Sequence, residues 1–394
     1  MSGSKIRSII LAIMWAVVPG LHAQLNSGTN PQSLLVPPAR SELNSESLAP
    51  VRPWTGEWNF QIGGLSFEEG KDEGAAAFLY FSTRFEYRFS SLLKARVKPQ
   101  LQMYSSRVQE RYDNDFSESR VRMDEAHLAF QPVQQLELRA GAIDQGELSS
   151  PLLVANSRAF PGFQEILSQT WGNYRLGVMA QQVVPTSYSL NTEREREEEL
   201  PTFLTESLHV SAREFDNLDL DLSVGRYHWS DLPDKVAFES ARVGNRVAGE
   251  VAPGARFLSG FDGLFLSSRA CWCGPSWLGL VGEFQRVHNS EAPPSMADAQ
   301  MWGLGPRLNF GRHELDLRYR SYFVESDATV ANYNRAMLGH TNRIGDNIEA
   351  RLDFKEQKFA IVGEWVNART LRESSTQKTL TSYYIGVETH YAPF

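Results

Sequence analysis

Full charges recur at every second position in several stretches of this chain. Arg84 and Arg88, then Lys94, Arg96 and Lys98, alternate with apolar residues in two neighbouring stretches, and Asp219 and Asp221, then Glu314 and Asp316, do so farther along. Arg318, Arg320 and Arg351 extend the same pattern. Alternate residues of an extended strand share a face, so each set is a row of charge on one surface. Rows of opposite sign on opposing walls of a water-filled gap would create a transverse field that orients dipolar solutes and biases ion passage. The plainer alternative is that such charges only keep an interior wetted.

Other reactive groupings carry less. Cys271 and Cys273 flank Trp272 at an expected turn. Two thiols without His or Cys neighbours cannot complete a zinc site, which leaves a strained local disulfide or two free thiols. Asp124-Glu125-Ala126-His127 spells a helicase box, and Ser91-Leu92-Leu93-Lys94 matches S-x-x-K. The first lacks a phosphate-cradling glycine loop and the second its partner motifs, and both fall on expected strands or turns. Thr192–Leu200 gathers Glu193, Glu195, Glu197, Glu198 and Glu199 with Arg194 and Arg196. A bridging cation or lipopolysaccharide could sit there, but a solvated outer loop is the preferred reading. The eight His residues show no ligand spacing, and no Ser/His/Asp set can be assigned to one rim. No enzyme, metal or cofactor is therefore expected. The formal net charge of −8 opposes nucleic-acid binding, which needs clustered Lys and Arg.

The elements that must position these charges read as strands. Phe81, Thr83, Phe85, Tyr87 and Phe89 alternate with Ser82, Arg84, Glu86 and Arg88; Leu315, Leu317 and Tyr319 alternate with Glu314, Asp316, Arg318 and Arg320. Period-2 segments of this kind, apolar on one face and charged on the other, are expected over 54–67, 74–89, 92–105, 120–131, 135–142, 171–184, 202–213, 217–229, 256–269, 276–288, 299–309, 313–325, 345–355, 358–369 and 379–392. These number fifteen. Short turns such as Lys355–Gln357, Phe310–Arg312, Ala270–Pro275 and Glu214–Asp216 fall on one side, and the long connections 185–201, 230–255, 289–298, 326–344 and 370–378 on the other. Parity across the two sides fails by one strand between 143 and 170, and a weakly alternating strand near Phe163–Thr170 restores it, giving sixteen. Sixteen strands enclose an aqueous interior. A soluble sandwich also alternates, but its strands are usually shorter, about 5 to 6 residues, and carry fewer full charges on the polar face.

Hydrophobic residues make up 42% of 394, yet the longest apolar run, Ile9–Val18, is short of the roughly 20 residues a membrane helix requires. That run follows Lys5 and Arg7 and precedes Pro19, Gly20 and a small-residue cleavage site at Ala23, so residues 1–23 read as a signal peptide. Residues 24–51 read as a flexible leader and 52–394 as the barrel.

A signal peptide, about 370 mature residues, amphipathic alternation and a terminal Phe394 together resemble the bacterial outer-membrane porin superfamily. One departure is the series Ala392, His390, Glu388 and Gly386, where that superfamily usually places apolar or aromatic residues; Pro393 offers a one-residue offset. The resemblance implies an all-β, antiparallel transmembrane barrel of about sixteen strands, with short periplasmic turns and long extracellular loops. It implies a passive channel for small hydrophilic solutes or ions, lined by Arg84, Arg88, Lys94, Arg96, Lys98, Asp219, Asp221, Glu314, Asp316, Arg318, Arg320 and Arg351. It also implies that the long early loop 143–162 folds into the pore, a plain surface loop being the alternative; Leu152-Leu153-Val154 argues for burial of this loop. Phe78–Phe81, Leu176–Ala180, Trp277–Val281 and Phe359–Val362 are apolar on both faces, which suggests a homo-oligomer, a trimer or a larger ring. Outer-membrane lipid and lipopolysaccharide are the expected surroundings. A second reading is similarity to the porin-like proteins of bacterial predators, whose open bowl-shaped subunits form rings around trapped lipid.

Overall fold

The computed structural model describes residues 53–107, 118–156, 158–186, 197–215, 217–249, 251–334 and 338–393. The expected signal peptide, leader, terminal Phe394 and most of the acidic run at 192–196 lie outside them. Most barrel strands continue the alternation that marks them in the sequence. They are β1 (Trp54–Glu69), β2 (Asp72–Arg88), β3 (Leu93–Arg107), β4 (Glu118–Val133), β5 (Leu136–Asp144), β6 (Ala159–Trp171), β7 (Tyr174–Val183), β8 (Thr202–Phe215) and β9 (Leu218–Ser230). A helix, α1 (Asp234–Arg242), and a two-residue hairpin, β10 (Val247–Ala248) with β11 (Arg256–Phe257), interrupt the series. It resumes with β12 (Phe261–Cys273), β13 (Leu278–Asn289), β14 (Asp298–Asn309), β15 (His313–Val324), β16 (Arg343–Phe354), β17 (Phe359–Thr370) and β18 (Leu380–Thr389); β19 (Ala392–Pro393) prolongs the last edge along β1.

Every consecutive pair of barrel strands is antiparallel, and β9 pairs with β12 across the inserted helix and hairpin. The sheet closes when β1 pairs with β18 from Gln61↔Glu388 to Glu69↔Leu380. The result is a closed antiparallel barrel of sixteen strands. Closure removes the sheet edge and satisfies the backbone within the wall, as a bilayer requires. It also removes the geometric basis of the open-bowl reading. No helix among the described residues is long and apolar enough to cross a membrane; the strands, at nine residues or more, reach the roughly 9 to 11 that a tilted strand needs.

The missing strand is β6. Its alternation is hidden because Glu165 stands exposed on the outer face beside Phe163, and Ile166 lies on the inner face between Gln164 and Ser168. Most strand limits move by a few residues from the sequence expectation, those of β12 the most. β12 starts at Phe261 and runs to Cys273, whereas Arg256 and Phe257 belong to the small hairpin in the preceding loop. The turn after β12 is therefore shorter than Ala270–Pro275, and both cysteines sit on the strand. They are free thiols, Cys271 buried and Cys273 exposed.

The wall faces are unlike. Phe85, Leu101, Leu222, Leu264, Leu304 and Ile385 stand exposed on the outer surface, a lipid-facing band of the kind found in outer-membrane barrels. Their inward neighbours are buried. At the long-loop end those inward residues are apolar: Phe203, Tyr227, Trp229, Val287, Met301 and Tyr322 join one core with residues of the connecting loops. Phe203 stacks on Trp229 at 4.0 Å and Trp229 on Tyr333 at 5.0 Å. This inner core accounts for several segments that are apolar on both faces. Ala360, Val281 and Met179 are buried within the barrel, and Phe78 stacks with Tyr80 and Tyr384 on the inner wall. Interior packing thus uses the apolar residues from which a subunit interface was expected.

Candidate functional site

Three loops fill the long-loop end. After β5, a 3-10 turn at Gln145–Leu148 is capped by Asp144, whose side chain accepts from the Gly146 amide. The chain then turns inward, and Leu148, Leu152, Leu153 and Val154 are almost wholly buried. Of the two readings of 143–162, the inward one is what the structure has. The segment 231–260 contributes Val236 and Ala237 from the apolar side of α1, and 325–342 contributes Ala328, Val330, Ala331, Tyr333 and Leu338.

Polar side chains lock these loops together. Asn245 donates to the carbonyls of Ser326 and Thr329, at 2.5 and 2.9 Å, and accepts from the Ala331 amide at 2.7 Å. Asp327 accepts from the Arg246 amide and guanidinium and from the Ser259 hydroxyl. The Ala155 amide donates to the Tyr333 carbonyl and the Thr329 hydroxyl to the Leu153 carbonyl. Arg343 and Glu69, both almost fully buried, pair at 2.6 Å and tie β16 to the end of β1. Buried polar groups paired this completely resist separation, because a lone partner would be left desolvated.

Below this plug, toward the short turns, the inner wall is charged. Arg96 pairs with Glu86 at 3.0 Å and with Glu125 at 3.5 Å; Lys94 pairs with Glu137 at 3.1 Å and Lys98 with Asp124 at 3.7 Å. Arg139 reaches Glu137 at 2.5 Å and Glu147 at 2.6 Å, and also donates to Gln164. Burial opposes ionisation of Glu147 in the 3-10 turn, but Arg139 outweighs it and holds that carboxyl below the usual range. Across the barrel, Arg320 pairs with Glu283 and with Glu349. Arg318 and Arg307 share Asp316, Arg307 also reaches Glu314, and Arg351 pairs with Glu388.

The twelve residues singled out in the sequence fall into two groups. Arg96, Lys98, Glu314, Asp316, Arg318, Arg320 and Arg351 are buried on the inner wall; Lys94 is close beside them. Arg84, near Glu57 and over the Tyr391 ring, Arg88, exposed beside Glu86, and Asp219 and Asp221 lie toward the short-turn mouth. Arg213 holds Asp221 through two hydrogen bonds. The separate walls of opposite charge expected from the sequence are not what the structure builds: the rows pair with carboxylates or cations on their own or the adjoining strands. The acidic partners missed in the sequence were Glu137 and Glu283, whose alternation was visible, and the pair Asp124 and Glu125. Consecutive residues cannot both face inward on a regular strand. Here the register slips between Lys98 and Pro99, skipping Asp124, and both carboxylates are buried. Pro99 has no amide to donate, which suits it to that irregular site. The helicase-like string is thus an inner-wall segment that includes a bulge.

Compared with known proteins, no protein-family model matches the chain, and no curated protein sequence does. Among solved structures, the high-pH structure of Pseudomonas putida OprB aligns with a TM-score of 0.57 at 12% identity, over 87% of this chain and 94% of that one. A loop L8 deletion mutant of OmpT, an outer membrane protein of Vibrio cholerae, aligns at 0.50 and 10% identity, over 86% of this chain and all of that one. At such identities the likeness is one of fold. The chain has the porin-like fold, a closed sixteen-stranded antiparallel barrel that fits the bacterial outer membrane.

Proposed function

We propose that the protein is a passive outer-membrane channel that admits small hydrophilic solutes or ions through a narrow, charged passage and performs no chemistry. The observation that carries this reading is the density of ion pairs on the inner wall, from Arg96 and Lys98 round to Arg320 and Arg351. Burying ion pairs contributes little net stability compared with apolar residues of similar volume, so a wall that needed only to be stable would not be built this way. Charges held in fixed positions act on whatever passes them. Arg84, Arg88, Lys94, Arg96, Lys98, Asp219, Asp221, Glu314, Asp316, Arg318, Arg320 and Arg351 would line that passage. The inward loops narrow it, which favours ions and the smallest solutes. In the same reading residues 1–23 direct export, 24–51 form a periplasmic leader, and the barrels assemble as homo-oligomers amid lipid and lipopolysaccharide.

Single-channel recording in planar bilayers tests this. Discrete current steps are expected; protein that inserts without them sinks the channel reading. Replacing Arg84, Arg96 and Lys98 with Glu should move the reversal potential under a salt gradient toward cation preference, and an unchanged potential would remove these residues from the passage.

A further inference from the structure

The two cysteines lie side by side on one face of β12. Residues two apart on a strand point the same way, so Cys271 and Cys273 share the inner face of β12. They do not readily close a disulfide. At about 3.3 to 3.4 Å per residue, their Cα atoms are about 6.7 Å apart, at the outer limit of about 6.8 Å that a disulfide spans. The backbone has little freedom to shorten that distance. Cys271 is in register with Val281 on one side and Asp219 on the other, Cys273 is in register with Gly279, and its amide donates to the Asn217 carbonyl at 2.6 Å.

We propose that Cys271 and Cys273 form a two-thiolate site for a soft monovalent cation of the Cu(I) class. Two thiolates suffice for a d10 ion that accepts linear coordination, and thiolate donors select Cu(I) by softness. Zinc would need further ligands, and among the described residues no group of three His, Cys, Asp or Glu side chains is placed to hold a metal. Binding replaces two S–H bonds with two S–Cu bonds, releases two protons and leaves copper as Cu(I), so no oxidant or reductant is involved. The complex carries one net negative charge. Arg307, which also pairs with Glu314 and Asp316, offsets part of it, its Nη1 donating to Cys271 Sγ at 3.7 Å. Cys273 is exposed and Cys271 buried behind it, so the ion enters from the short-turn mouth.

The test uses the full folded chain in detergent micelles, with its thiols first counted by alkylation. Cu(I) is then titrated in competition with bicinchoninate. One ion per chain is expected, bound at least a hundredfold more tightly than by either C271S or C273S, with R307Q about tenfold weaker than the wild type. Fold is checked on each variant by its strand circular dichroism. Equal Cu(I) retention by the C271S/C273S double variant overturns the proposal, as does a wild-type protein whose thiols resist alkylation until reduced. Conductance plays no part in this readout, so its result is independent of the channel reading.

Discussion

Asn245 offers a direct measure of how firmly the inner plug is held. Its side chain makes three hydrogen bonds to backbone groups of 325–342, all buried, and it is itself buried in the 231–260 loop. Asn245→Ala removes all three. A hydrogen bond contributes about 1 kcal/mol net, and an orphaned buried partner costs about 1 to 3 kcal/mol. Water can reach the freed groups once the loops part, which caps the loss near the smaller figure, at about 3 kcal/mol in total. At about 1.4 kcal/mol per tenfold, the equilibrium for loop opening shifts by roughly a hundredfold. Hydrogen exchange reads this opening locally. The Ala331 amide, bonded to Asn245 Oδ1, and the Tyr333 amide, bonded to the Val330 carbonyl, should exchange roughly a hundredfold faster in the variant. The barrel strands should be unaffected. Exchange within threefold of the wild type at both amides would refute the idea that Asn245 holds the two loops together.

Three further outcomes are expected. His340, in the 325–342 loop, lies near Arg158 and Arg343; burial, more than those cations, depresses its pKa to about 4, although its Nδ1 bonds the Ala331 carbonyl. The undocked loop, with an ordinary His pKa near 6.5, binds a proton first, so docking is strongest above about pH 6.5 and weakens as pH falls toward 4; protection of the 328–334 amides, relative to their intrinsic exchange rate at each pH, should fall between pH 7 and 5 in the wild type and stay flat in His340→Asn. Arg320→Met removes the cation that pairs with Glu283 and Glu349 on the inner wall, and planar-bilayer recordings should show cation preference increase; a shift toward anions would contradict the assigned orientation. Gly263 has no room for a side chain, since a Cβ would stand 1.8 Å from the His288 carbonyl oxygen in the β12–β13 pair. Gly263→Ala should lower the yield of folded barrel seen on unheated gels, whereas Gly363→Ala, whose Cβ would meet only the Tyr384 carbonyl oxygen at 3.9 Å, should not.

How much of this could be read in the residues divides along physical lines. Alternation is local: Phe81 to Phe89 and Glu314 to Arg320 declare a strand and its two faces without reference to anything distant. Parity is nearly as local, so the sixteenth strand at 159–171 followed from the sidedness of its neighbours although its own pattern is weak. The inner or outer position of Arg96, Asp316 and Arg320 followed from the same period. Pairing between strands is not local. Which carboxylate neutralises Arg96 depends on a register that Pro99 and Asp124 displace, and no periodicity within either strand records that displacement. The inward loops are less legible still: Leu153, Val236 and Tyr333 come from three segments and become one core only because barrel closure brings their anchoring strands around a common interior. The sequence by itself therefore determined the kind of wall and the residues on each face, because side-chain alternation is a property of the single strand. Only the tertiary structure decided what neutralises the charges and what fills the barrel, because both depend on which distant residues closure places opposite one another.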